Sequence, residues 1–286
     1  MKINRGEDVV SLAIASRKLV PDGREGPDVW LTGVTHVGEA EYFKQLQTHL
    51  GQFELVLYEG VGDSPRLMKR MGMKQPKGVQ DQLADALGLA FQLEAIDYES
   101  SDFQNCDVSM QQLQLLMQSM AEESEEGKDA QEELKTMMGM LQGEGFMSAA
   151  VEGLLAWLEQ NPNLRNAVKY MFIEMLGNLE GDLAGANAPG EMQKLMTLLI
   201  DERNKVVLRE LQRRLFSKRP PKSISVFYGA GHMHDLEERI VDELGYVAQE
   251  EEWYNAISLD LKKAGFRASD IQLIQRLARM QIDSMQ

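Results

Sequence analysis

One cysteine, Cys106, stands among 286 residues, so neither an internal disulfide framework nor a thiolate metal cluster can form, and a reducing compartment is the simplest expectation. Histidine is almost as scarce: the chain has His36, His49, His232 and His234 and no others. Any bound metal must therefore use imidazole and carboxylate ligands. The sequence contains no run of about 18 apolar residues able to span a bilayer, and its opening, "MKINRGEDVV", lacks the apolar stretch of a signal peptide. The expected location is the cytoplasm. Basic charge is also short, with 30 Lys and Arg against 45 Asp and Glu and a formal net charge of -15. So acidic a chain offers no general basic surface, which argues against nucleic acid and anionic membranes as partners. There is no phosphate-binding glycine loop, no dinucleotide fingerprint and no serine nucleophile elbow.

The chain does have enough apolar matter for a large core, being 43% hydrophobic and 26% charged. Two apolar segments, "VVSLAIA" and "VWLTGV", flank "PDGREG", whose Pro, Asp and Gly suit a tight connection; an antiparallel hairpin is predicted. After His36, "EAEYFKQLQTHLG" places Tyr42, Phe43, Leu46 and Leu50 on one helical face. Then come "ELVLYEG", a continuously apolar strand, and "LEAIDYE", a weaker one. This alternation predicts an α/β fold: a central mixed, largely parallel sheet with flanking helices. From 108 to 216 the spacing of apolar residues turns helical, predicting an inserted helical subdomain between the first part of the α/β core (1–107) and the second (217–286). "KRPPKS" stops the last inserted helix, "SISVFYGAGH" restores a strand, and "SDIQLIQRLARMQI" closes the chain as an amphipathic helix.

Three strand-like runs end in groups able to bind metals or move protons: His36 in "WLTGVTH", Glu59 in "LVLYEG" and His232 in "VFYGAGH". Ligands of open α/β sheets bind beyond the carboxyl ends of the strands, so these three residues are expected to converge. Gly33, Gly60, Gly229 and Gly231 would shape the rim by positive φ or close backbone approach. Two histidines and a carboxylate suit a divalent ion such as Mn, Zn, Co or Fe, which could polarise a carbonyl and acidify a bound water. Glu39, three residues after His36, is either a further ligand or general base, or simply a first-turn acid stabilised by the helix dipole.

The paired motifs "GVTH" and "GAGH", with "LVLYEG" after the first and "DERN" before the second, resemble the TraB/PrgY family, which includes GumN-like and animal Tiki proteins. The resemblance covers nearly the whole chain in order. It implies an α/β fold related to erythromycin esterase and the ChaN-like haem-binding proteins, with a helical insertion. The Tiki branch is described as metal-dependent proteases, and bacterial TraB members are linked to shutting down peptide pheromones. The resemblance places His36 and His232 at the motif histidines, Glu59 at the strand-end acid and Arg203 at the arginine of "ERN". Arg203 is then a candidate for binding a substrate carboxylate or an oxyanion, the alternative being pairing with acids on neighbouring helix turns. Asp107 resembles a position after the third strand of some bacterial members, and its residue type also suits the N-cap of the next helix. Many members carry an anchor or secretion signal; the lack of one here argues against an extracellular substrate.

The expected activity is a metal-dependent hydrolase, peptidase- or amidase-like, with His36, Glu59 and His232 as metal ligands and a small molecule or peptide as substrate. The alternatives are a metal-independent, esterase-like hydrolase in which His36 activates water, and a non-catalytic protein that binds peptide, metal or haem. His234 is expected at the surface or behind His232, and His49 exposed on its helix. Met117, Met120, Met137, Met138, Met140, Met147 and Trp157 are expected in helix packing. Ile271, Ile274, Leu277 and Met280 give the closing helix an apolar face that covers the core or forms a homodimer contact.

Overall fold

A computed structural model describes residues 1–60, 79–109, 111–116, 153, 155–178 and 190–284. The six methionines named above lie outside them. Among the described residues, no helix is long and apolar enough to cross a membrane.

The run "VVSLAIASRKLVP" forms the central strand β2 (Val9–Pro21), preceded by β1 (Lys2–Arg5) and followed by β3 (Asp28–Val34). β2 and β3 form the predicted antiparallel hairpin, with Ser16 opposite Thr32. The short β4 (Val37–Gly38) follows His36 and leads into helix α1 (Ala40–Leu50). Next come β5 (Leu55–Tyr58), α2 (Val79–Leu87), β6 (Ala90–Phe91), the single turn α3 (Gln92–Ala95) and β7 (Phe103–Asn105). Apart from Val108, Ser109, Asn161 and Phe216, the described parts of 108–216 are helical, including α4 (Pro162–Asn178) and α5 (Gly190–Leu215). The chain then returns through β8 (Ser223–Gly229), a 3-10 turn at Ala230–His232, α6 (Met233–Leu244), β9 (Tyr246–Asp260) and α7 (Ala268–Ser284). Gly245 ends α6 in the left-handed conformation, φ +65°, which a side chain would resist.

Among the described residues, the sheet has seven strands and is mixed. β3, β8, β5 and β7 lie side by side and parallel, while β2 meets β1, β3 and β9 antiparallel. Because β9 follows β2 from Val9 to Pro21, it must occupy the edge of β2 opposite β1 and β3. Helices cover both faces, and strand alternation divides the core between them. In β5, Val56 and Tyr58 join the layer containing Tyr42, Phe43, Leu46 and Ile173; Leu55 and Leu57 join Val207, Leu211, Leu236 and Ile240 on the other side. The carboxyl-terminal half of α5 thus packs together with α6 in one of the two layers that flank the sheet.

The third parallel strand is β7, not "LEAIDYE". That segment instead contains the end of α3, a buried Ile96 and Tyr98, and an exposed Leu93. A three-residue strand carries too little periodicity to be read from sequence. Trp157 is exposed rather than packed, and the face of α7 is split: Ile274, Ala278 and Ile282 are buried, while Leu277 and Met280 face outward with Leu273.

His49 is buried, not exposed. The apolar face of α1 turns it onto β2, where Nε2 lies 2.9 Å from Ser16 Oγ and the ring packs at 5.1 Å from both Trp30 and Phe53 and 5.5 Å from Tyr254. A hydroxyl line continues across the sheet from Ser16 to Thr32 (2.8 Å) and Ser225 (2.9 Å), so these core polar groups are satisfied. Burial lowers the pKa of His49 from its ordinary value, against the pull of Glu252. A folded-state pKa below the unfolded one means that the stabilisation is complete above about pH 6.5 and declines as pH falls, because the unfolded chain takes up the proton first. We predict that urea denaturation shows falling stability from pH 7.5 to 5.5, with a shallower fall in His49→Gln; an unchanged slope in that variant would refute the assignment.

Candidate functional site

The parallel order β3–β8–β5 carries three chain segments to one carboxyl edge of the sheet. Glu59 directly follows β5, and its N–H donates to Phe227 O of β8 at 3.1 Å, which fixes the side chain beside the end of β8. There Gly229 N–H donates to Glu59 Oε2 at 2.6 Å, and His232 Nε2 lies 3.7 Å from Glu59 Oε1. Gly229 and Gly60 are required by close approach and not by positive φ: a Cβ would meet Glu59 Oε2 at 3.1 Å at the first and Asn105 Nδ2 at 2.7 Å at the second.

Arg203 of α5 reaches into the same place. Its Nη2 donates to Glu59 Oε1 at 2.5 Å and Asp107 Oδ2 at 2.7 Å, and its Nε to Asp107 Oδ1 at 3.0 Å. The contact with Asp107 is bidentate, the geometry that a planar guanidinium favours. Arg203 therefore pairs with acids from two strand ends and not from neighbouring turns of its own helix. Asp201 and Glu202 beside it are taken by Arg239 and Lys205. The Asp107 side chain is fully buried and also accepts from the N–H groups of Gly60 and Val108, at 3.0 and 2.7 Å. It is not the cap of the following helix; Ser109 takes that place, exchanging hydrogen bonds with Gln112.

The electrostatics follow from this packing. Burial alone would raise the pKa of Glu59, but Arg203, His232 and the Gly229 N–H outweigh it and hold the carboxyl at about 2. Burial lowers the pKa of His232, opposed by Glu59 and assisted by Arg203. The pair therefore rests at neutral pH as a carboxylate beside an uncharged imidazole. His232 Nδ1 lies 2.7 Å from Asn204 Oδ1, and Asn204 Nδ2 donates to Asp235 at 2.7 Å. Asp235 is held in turn by Arg239 at 2.6 Å.

His36, beyond the end of β3, is exposed, with Nδ1 3.1 Å from Gln92 Oε1. Glu39 is not part of the cluster. It precedes α1 without a side-chain cap bond and accepts from Ser258 N–H of β9 at 2.8 Å. His234 is exposed beside Glu238. Asn204, Asp235 and Gln92 were missed by sequence reasoning, although Asn204 adjoins Arg203 in "DERN" and Asp235 closes "HMHD".

As arranged, the expected donors do not fit a divalent ion. Among the described residues, no three His, Cys, Asp or Glu side chains form a group that could hold one. A cation between Glu59 and His232 would lie against the Arg203 guanidinium, whose Nη1 is 3.5 Å from His232 Nε2. Both Glu59 oxygens already accept hydrogen bonds. Compared with family models, curated proteins and solved structures, the chain has no match in any of the three.

Removing the guanidinium would leave two buried carboxylates facing each other. Arg203→Leu is predicted to lose about 3–5 kcal/mol in urea denaturation, the usual cost of breaking a buried ion pair on one side. Adding Asp107→Asn should restore part of that loss; strict additivity of the two changes would contradict the coupling.

Proposed function

We propose that the chain is a hydrolase of carboxylic-acid derivatives, amidase-, peptidase- or esterase-like, of the TraB/PrgY type that its two GxxH motifs resemble. The observation that supports it is the juxtaposition of Glu59 and His232, 3.7 Å apart at the ends of adjacent parallel strands, with His36 exposed beyond the next strand. In this reading a water molecule held against the Glu59 carboxylate attacks the substrate carbonyl. His36, the solvent-facing motif histidine, accepts its proton and returns it to the leaving group. Arg203 spends its Nε and Nη2 hydrogens on Asp107 and Glu59, leaving Nη1 to donate to the developing oxyanion. Ionisation of Glu59 leaves no mark on the pH profile near neutrality, because its pKa is about 2.

The test is a panel of ester, amide and short peptide substrates. Turnover is expected to survive chelation and to fall about 10²–10⁴-fold in His36→Ala and in Glu59→Gln, with the folded state retained. Turnover abolished by chelator and restored by Mn, Zn, Co or Fe would transfer the reading to a metal-dependent peptidase using His36, Glu59 and His232. Saturable binding of peptide or haem without product would replace catalysis with a binding function.

A further inference from the structure

We infer that Asn204 and Asp235 act as positioning residues that lock His232 in the Nδ1–H tautomer, leaving the Nε2 lone pair aimed at the candidate site. The inference deepens the hydrolase reading and depends on it only for its consequence, since the tautomer is observable without a substrate.

A side-chain amide beside an imidazole can present either its oxygen or its NH2, and so can impose either tautomer. Here the choice is removed one step away. Asp235 presents an oxygen to Asn204 at 2.7 Å, and a carboxylate oxygen only accepts; the Asn204 group facing it must be NH2. Asn204 Oδ1 then faces His232 Nδ1 at 2.7 Å, and that nitrogen must carry the hydrogen. Arg239 fixes the far end of the relay, with Nε donating to Asp235 at 2.6 Å and Nη2 to Asp201. Asn204 is fully buried and His232 nearly so, which leaves little room for the ring or the amide to turn.

The other face of the ring agrees. Arg203 Nη1, which can only donate, stands 3.5 Å from His232 Nε2, whereas the competing acceptor, Glu59 Oε1, is beyond hydrogen-bond reach at 3.7 Å. His36 has a looser version of the same device. Gln92 Oε1 faces its Nδ1, but the amide NH2 is directed at the Tyr98 hydroxyl, which can donate as well as accept. Of the two motif histidines, it is His232 whose relay ends on an acceptor-only group that sets its direction.

The consequence concerns which partner His232 can meet first. With no hydrogen on Nε2, and the long 3.5 Å contact from Arg203 Nη1 given up when that group turns to the oxyanion, His232 accepts a hydrogen bond from the attacking water or from a substrate N–H, and it can give a proton only after receiving one. An asparagine at this position orients the ring without placing a carboxylate against it. This differs from the histidine–carboxylate arrangement that holds an imidazolium.

The experiment is long-range ¹H–¹⁵N correlation on full-length, ¹⁵N-histidine-labelled protein above neutral pH, with the His232 signals identified by their loss in His232→Gln. The wild-type protein is expected to show a protonated Nδ1 and an unprotonated Nε2 at His232. In Asn204→Leu the two nitrogen shifts should exchange as the hydrogen moves to Nε2, whereas Asn204→Asp, which keeps an acceptor at the same place, should retain the wild-type pattern. Asp235→Ala removes the acceptor that faces the Asn204 NH2 and frees the amide to turn, and should also shift the pattern toward Nε2–H; it tests the relay even if Asn204→Leu does not fold. An Nε2–H pattern in the wild-type protein, or a pattern unmoved in Asp235→Ala, would overturn the proposal. Neither result depends on turnover, so failure here and failure of the hydrolase reading are separable.

Discussion

The Arg203 guanidinium is joined to Glu59 at the end of β5 and to Asp107 just beyond β7, and nearly every feature of the site depends on that clamp. Two carboxylates this close would repel, and burial would press each toward its neutral form. One shared arginine lets them lie together, pulls the end of the edge strand β7 toward β5 and ties both to α5. The guanidinium also leads the groups that keep Glu59 ionised, while burial, assisted by the guanidinium, keeps His232 uncharged; together they set the proton inventory of the site before any ligand arrives. Its place against His232 is what a divalent cation would otherwise need.

Around the clamp, rigidity comes from two kinds of contact. Backbone groups at the strand ends, the N–H of Gly229 and of Gly60, bind the carboxylates directly, and at Gly229 the absence of a Cβ leaves room for the Glu59 oxygen. Behind His232, the chain of Asn204, Asp235, Arg239 and Asp201 connects α5 to α6 through side chains alone. The two helices that contribute these groups also pack a common apolar layer against the sheet, through Val207 and Leu211 of α5 and Leu236 and Ile240 of α6. Core packing and site geometry are therefore set by the same pair of helices.

Much of this could be read along the chain. Continuous apolar runs identified β2, β5 and β8, the "PDGREG" connection marked the hairpin, and the scarcity of histidine made the matched His36 and His232 conspicuous. These are local signals, carried by spacing and composition, and the α/β architecture followed from their alternation. β7 was not legible, because three residues have no measurable period, and β5 and β8 already supplied most of its setting.

What the sequence by itself determined was which residues would end parallel strands: His36, Glu59 and His232 stand directly after apolar runs, and a sheet of that kind must gather such ends along one edge. What only the tertiary structure decided was the partner of each. Arg203 had acids nearby on its own helix and took two distant ones instead, Asp107 became a buried anchor instead of a cap, and Glu39 turned to β9. His49 went into an aromatic cage because the buried face of α1 included it. Partner choice among equally charged candidates depends on distance and burial in the folded chain, and neither quantity exists along the sequence.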